Sequence, residues 1–162
     1  MTTGFFNDPF FARNFVYGVQ DSLISTSGVI LGVSFAKFSN VNILITGYIL
    51  ILVEALSMGY GSFISEDAFM KTANMNYTEK TTLKYGLVMF FSYAFAGLIP
   101  LLPYILKLND AWKYSITLTF LSLLTLIYTF QHDIKKTIKQ TFIGFIILII
   151  SLNAGKKIKN IY

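Results

Sequence analysis

Two carboxylates and a thioether stand inside stretches of this sequence that are otherwise apolar. Asp21 lies within YGVQDSLISTSGVILGVS, and Glu54 and Met58 lie one helical turn apart within VEALSMGYGSFISE. An ionised carboxylate in hydrocarbon costs roughly 2.5–3.5 kcal/mol on insertion scales, so it persists where it meets a cation, a proton or water. Carboxylate oxygens alone suit Mg²⁺ or Ca²⁺. A soft sulfur beside them tilts the set toward Fe²⁺, Mn²⁺, Co²⁺ or Zn²⁺. Protonation removes both the charge and the lone-pair capacity of a carboxylate, so the same side chains can bind a dication and release it. Two plainer readings stay open: protonated acids bonded to neighbouring helices, and Met58 as packing.

The remaining inventory narrows the chemistry. Cysteine is absent, which excludes disulfides, iron–sulfur clusters and thiolate metal sites. The single histidine, His132, falls in a charged connection and cannot build a site alone. With neither cysteine nor a histidine pair to hold a redox cofactor, no enzyme and no permanently bound cofactor are expected. A metal ion here would be cargo.

Long helices must position these residues. The chain has 162 residues, 54% of them hydrophobic and 13% charged, with a formal charge of +5. Its mean hydropathy is +0.61. A soluble domain carries about 25% charged residues. Here the charges form short clusters between apolar stretches, the pattern of an integral membrane protein. A helix rises about 1.5 Å per residue across about 30 Å of hydrocarbon, so a span needs about 20 residues. Five stretches qualify, at 14–36, 41–64, 84–106, 112–130 and 138–154. They predict an all-α membrane protein with a five-helix transmembrane domain over 14–155 and a basic tail at 156–162. Residues 1–13 read as an interfacial segment rather than a signal peptide, because an Asn-Asp-Pro turn separates the phenylalanines and no basic region precedes them.

Short connections at 37–40, 107–111 and 131–137 make consecutive spans antiparallel neighbours; only 65–83 is longer. Depth can then be compared. Asp21 is seven residues in from Asn14, roughly 10 Å from the N-terminal-side surface. Met58 and Glu54 lie six and ten residues before Ile64, roughly 9 and 15 Å from the same surface. The three side chains converge near one level. On the first span Asn14, Gly18, Asp21, Ser25, Gly28 and Gly32 recur at steps of three and four and share a face. On the second, Glu54, Ser57, Met58 and Gly61 do the same. Ser25, Ser57, Gly28, Gly32 and Gly61 are therefore candidates for lining a path or for close packing. The GxxxG formed by Gly28 and Gly32 permits close approach, either to a second copy or within the chain. Pro100 and Pro103 free the carbonyls of Ala96 and Ile99, as a hinge or as a static kink. Glu66 and Asp67 fall in the long connection, either as a solvated pair or as a cytoplasmic point of metal capture.

Lysine and arginine sit in connections and at helix ends, as membrane-surface flanks rather than a nucleic-acid footprint. With the tail set aside, seven basic residues fall on the N-terminal side and three on the other, which predicts a cytoplasmic N-terminus and a C-terminus across the membrane. Which membrane is left open.

The two segments quoted above, together with AGLIPLLPYIL at 96–106, resemble the first-, second- and third-helix motifs of the vacuolar iron transporter family, which includes yeast-type calcium-sensitivity-complementing and nodulin-like members. The resemblance runs along essentially the whole chain. It implies a homodimer of five-helix subunits with the first helix near the interface. It implies export of Fe²⁺ or Mn²⁺ from the cytoplasm in exchange for protons, with Asp21 and Met58 in the path. Glu54 falls where some members carry an acid. Ser22 replaces a glycine of the motif and Ser62 a glutamate. The connection at 65–83 holds only Glu66, Asp67 and Glu79 as acids. That is too little for the glutamate-rich cytoplasmic domain of the vacuolar members, so the resemblance implies a minimal member. The expected partners are a divalent metal ion, lipid and a second copy, with no nucleic acid. Rival functions are a non-transporting anchor or assembly subunit and a proton-coupled carrier of small solutes.

Overall fold

The computed structural model describes residues 8–159, which form five helices: α1 Pro9–Phe35, α2 Asn40–Thr72, α3 Glu79–Ile105, α4 Ala111–Gln131 and α5 Ile134–Lys159. Helix count and order agree with the sequence reading; several boundaries do not. α1 starts at Pro9 because Asp8 caps it, its carboxylate accepting from the backbone N–H groups of Phe10 and Phe11 at 3.0 and 3.3 Å. Proline in the first turn loses no hydrogen bond. Residues 9–13 of the expected interfacial segment are thus helical, and residues 1–7 lie outside the described part. At the other end α5 runs on through Lys156 to Lys159, and tail residues 160–162 also lie outside it.

The largest difference is in α2, which continues two turns past Ile64 to Thr72. Nothing between 65 and 72 breaks a helix, and Lys71 bonds Asp67 one turn back at 2.7 Å. The long connection at 65–83 shrinks to residues 73–78, and Glu66 and Asp67 are helical rather than loop residues. α1, α2 and α3 end alike. Lys37, Asn74 and Lys107 take left-handed backbone angles, and the next N–H reaches back to Val33, Met70 and Pro103 at 3.0–3.1 Å. That 6→1 bond satisfies a carbonyl the helix leaves open.

Consecutive helices are antiparallel. At one end Lys84 and Tyr85 of α3 bond the Asp8 cap at 3.3 and 2.9 Å, and Phe15 of α1 meets Phe130 of α4. At the other, Phe35 of α1 stacks edge-on against Trp112 of α4, and Asn40 of α2 donates to the Tyr104 carbonyl at 3.1 Å. α3 fills the groove between α1 and α2, and Ile30, Ile43, Ile51 and Leu101 form the main core there.

Among the described residues four helices, α2 to α5, are long and apolar enough to cross a membrane; α1 is not. At 27 residues α1 has the length and lacks only the apolarity. Packing explains the difference, because α1 touches all four other helices. Most of its buried polar groups bond a neighbouring helix; the Thr26 hydroxyl is the exception among the described residues. Asn14 and Ser62 of α2 bond at 2.6 Å, and Ser22 donates to the Tyr93 carbonyl of α3 at 2.7 Å. Ser27 and Thr119 of α4 bond at 2.6 Å, and Ser151 of α5 donates to the Gly28 carbonyl. A helix walled in by protein finds its polar partners there and has little lipid to face. The apolar surplus sits outside, on residues such as Ile45, Ile49, Leu52 and Leu56 of α2, each about half exposed.

Candidate functional site

Asp21 belongs to the first helix and Glu54 to the second. Both acids are half-buried, and each lies within electrostatic range of the other. Tyr93 of α3, with no exposed surface, stands within range of both. Its hydroxyl and the half-buried Ser25 hydroxyl are 2.7 Å apart. Ser22 holds the Tyr93 backbone from the same helix. Asp21, Ser25 and Glu54 are therefore grouped around a phenol that the sequence reading passed over. The available signal was a tyrosine inside the apolar run 87–99. Among the described residues neither Asp21 nor Glu54 takes part in an ion pair.

Met58 is half-buried and lines a different feature, an open cleft of about 850 Å³ at the N-terminal end between α1 and α2. Asn14, Gln20, Gly61, Ser62 and Glu66 share its wall; Asp21 and Glu54 do not. Along α2 the order is Glu66 and Ser62 in the cleft, then Met58, then Glu54 one turn deeper. Met58 is thus a cleft-lining residue one helical turn from Glu54. A Cβ on Gly61 would meet nothing within 4 Å, so this glycine leaves room rather than letting a helix approach. Ser57 is exposed and lines no part of the cleft.

Gly28 and Gly32 pack within the chain. Ser151 and Gly155 of α5 form a matching small-xxx-small pair, and a Cβ on Gly155 would come within 2.2 Å of the Gly32 carbonyl oxygen. Of the two readings open for the GxxxG, the intrachain one describes this face. Pro100 and Pro103 are buried, and α3 runs unbroken through both.

Glu66 and Asp67 part company despite being adjacent. Glu66 is 1% exposed, and its Oε1 accepts from Arg13 and from the Asn14 amide. Asp67 turns the other way and bonds Lys71 and the Tyr77 hydroxyl at 2.7 and 2.8 Å. They do not form one acidic site.

Among the described residues no group of three or more His, Cys, Asp or Glu side chains could hold a metal ion. The acid pair supplies two carboxylates, and any dication there must complete its shell from sulfur, hydroxyl, carbonyl, water or a second copy of the chain.

A family model described as the VIT family matches this sequence twice, over residues 12–82 and 66–156. No curated protein and no solved structure matched.

Proposed function

The chain belongs to the VIT family, and from that premise we propose that it carries Fe²⁺ or Mn²⁺ out of the cytoplasm in exchange for protons. It is a multi-pass helical membrane protein of a family of transporters rather than enzymes. The reading rests on one observation: Asp21 and Glu54 lie within electrostatic range of each other in the helix bundle, and neither has an ion-pair partner among the described residues. Like charges in a poorly hydrated setting repel, and a dication or a pair of protons relieves the repulsion. The two occupants exclude each other, which is what coupled exchange needs.

In this account α1 is the fifth span, crossing inside the ring of its neighbours, and the N-terminus is cytoplasmic. The cleft admits the hydrated ion. Met58, on the way to Glu54, favours ions that accept sulfur. Asp21 and Glu54 hold the ion until protons from the far side replace it. A second copy of the chain supplies the ligands that one copy lacks.

The reading is tested by ion-dependent thermal stability of the purified protein in detergent. Mn²⁺ and Fe²⁺ are expected to raise the Tm at lower concentration than Mg²⁺. Met58→Ala is expected to reduce that preference by about tenfold, or roughly 1.4 kcal/mol. An unchanged ordering would remove Met58 from the site. No shift with any divalent ion, beside a shift with organic solutes, would favour the solute carrier.

A further inference from the structure

Glu66 is the only charged side chain among the buried residues described, and it is only half satisfied. Arg13 and Asn14 both donate to Oε1, the latter at 2.8 Å. Oε2 is buried with no hydrogen-bond partner. An arginine facing a carboxylate commonly engages both oxygens through its planar fork. Here it takes one and leaves the other buried without a partner, on a residue that lines the cleft. Asn14 is itself fixed by Ser62, so the carboxylate is held in place from below. Arg13 is 56% exposed, at the solvent side of the pair, and lies over the Phe10 and Phe69 rings at 5.4 and 6.0 Å. A guanidinium seated on two aromatic rings has a place to stay when its carboxylate is taken by something else.

We propose that Arg13 is a built-in competitor for the transported ion. It caps Glu66 when no metal is present, and an arriving divalent cation takes both oxygens of Glu66 and displaces it. Glu66 is then the first capture point in the cleft, with Asn14 and Ser62 as positioning residues. A buried carboxylate must be compensated by some cation, so Arg13 leaves only when a replacement arrives. A monovalent ion is a poor replacement, since it brings no more charge than the guanidinium it evicts. The inference rests on the reading of the chain as a divalent-metal carrier and adds the residue that sets the threshold for loading.

The test compares wild type, Arg13→Gln, Arg13→Lys, Glu66→Gln and the Arg13→Gln/Glu66→Gln double variant. Mn²⁺ uptake into proteoliposomes gives KM and maximal rate, and the Mn²⁺ concentration for half-maximal rise in Tm is read in parallel. Arg13→Gln is expected to lower both concentrations by about fivefold or more, with Arg13→Lys between it and wild type. Glu66→Gln is expected to raise them, and in that background Arg13→Gln is expected to have no effect. If Arg13→Gln folds only when Mn²⁺ is present, that rescue is the same result in stronger form. If it folds under neither condition, Arg13→Lys carries the comparison. An unchanged or raised half-maximal concentration in the Arg13 variants, or a full Arg13 effect without Glu66, would overturn the proposal. Absence of wild-type flux would overturn the transport reading instead, while the thermal measurement would still decide the role of Arg13.

Discussion

At the scale of single residues, the acids with a hydrogen-bond or ion-pair partner stand apart from the couple Asp21 and Glu54, which lie within electrostatic range of each other. Asp8 belongs to the first kind. Burial pushes its carboxyl up, but hydrogen bonds from Tyr85, the Phe11 and Phe10 backbone and Lys84 together hold it below its ordinary 3.8. A depressed acid contributes stability that is complete above the unfolded value and is lost as pH falls through the folded one. The Tm of the wild type is therefore expected to fall more steeply between about pH 5 and pH 2 than that of Asp8→Asn, which keeps a capping side chain but does not titrate. Asp8→Ala should cost about 1 kcal/mol near neutral pH through the lost cap. Parallel acid limbs for wild type and Asp8→Asn would refute this role. Asp21 and Glu54 were legible in the sequence because an acid in an apolar run is conspicuous. Tyr93 and the pairing of Arg13 with Glu66 were not. A tyrosine in a membrane helix has ordinary uses, and the Arg13 pairing joins positions 53 residues apart.

At the scale of helices, existence followed from stretches of span length and direction from the short connections between them, while ends did not. α2 overran its expected stop because residues 65–72 contain no breaker and their acids are neutralised by Arg13 and Lys71. The GxxxG of α1 was legible as a close-approach surface. Its partner was not identified, although Ser151 and Gly155 carry the same four-residue spacing on α5. The crossing makes a paired prediction. Gly155→Ala should lower stability by about 1–3 kcal/mol, because its Cβ would strike a backbone oxygen that cannot swing away. Gly61→Ala, where a Cβ meets open space, should be neutral or stabilise by up to about 1 kcal/mol through helix propensity. Thermal midpoints in detergent check both, and equal effects would mean that α1 and α5 do not cross as described.

At the scale of the whole molecule, the one described helix that falls short of a membrane span's apolarity is also the one that touches all four others. α1 bonds each of the four surrounding helices, through Asn14, Ser22, Ser27 and the Gly28 carbonyl, while those helices turn leucine, isoleucine and phenylalanine outward. Composition alone disclosed a membrane protein and five helices. It could not rank them by enclosure, because a polar face looks the same in sequence whether it meets water or another helix. The arrangement places Asp21 of the central helix within electrostatic range of Glu54 of the second, one turn along α2 from Met58, which lines the cleft. The most direct measurement is pH-gradient-driven Mn²⁺ and Fe²⁺ flux in proteoliposomes, with wild type beside Asp21→Asn. Gradient-dependent flux in the wild type and protein-free background in Asp21→Asn is the expected result. Metal flux at the wild-type rate in Asp21→Asn would contradict the account.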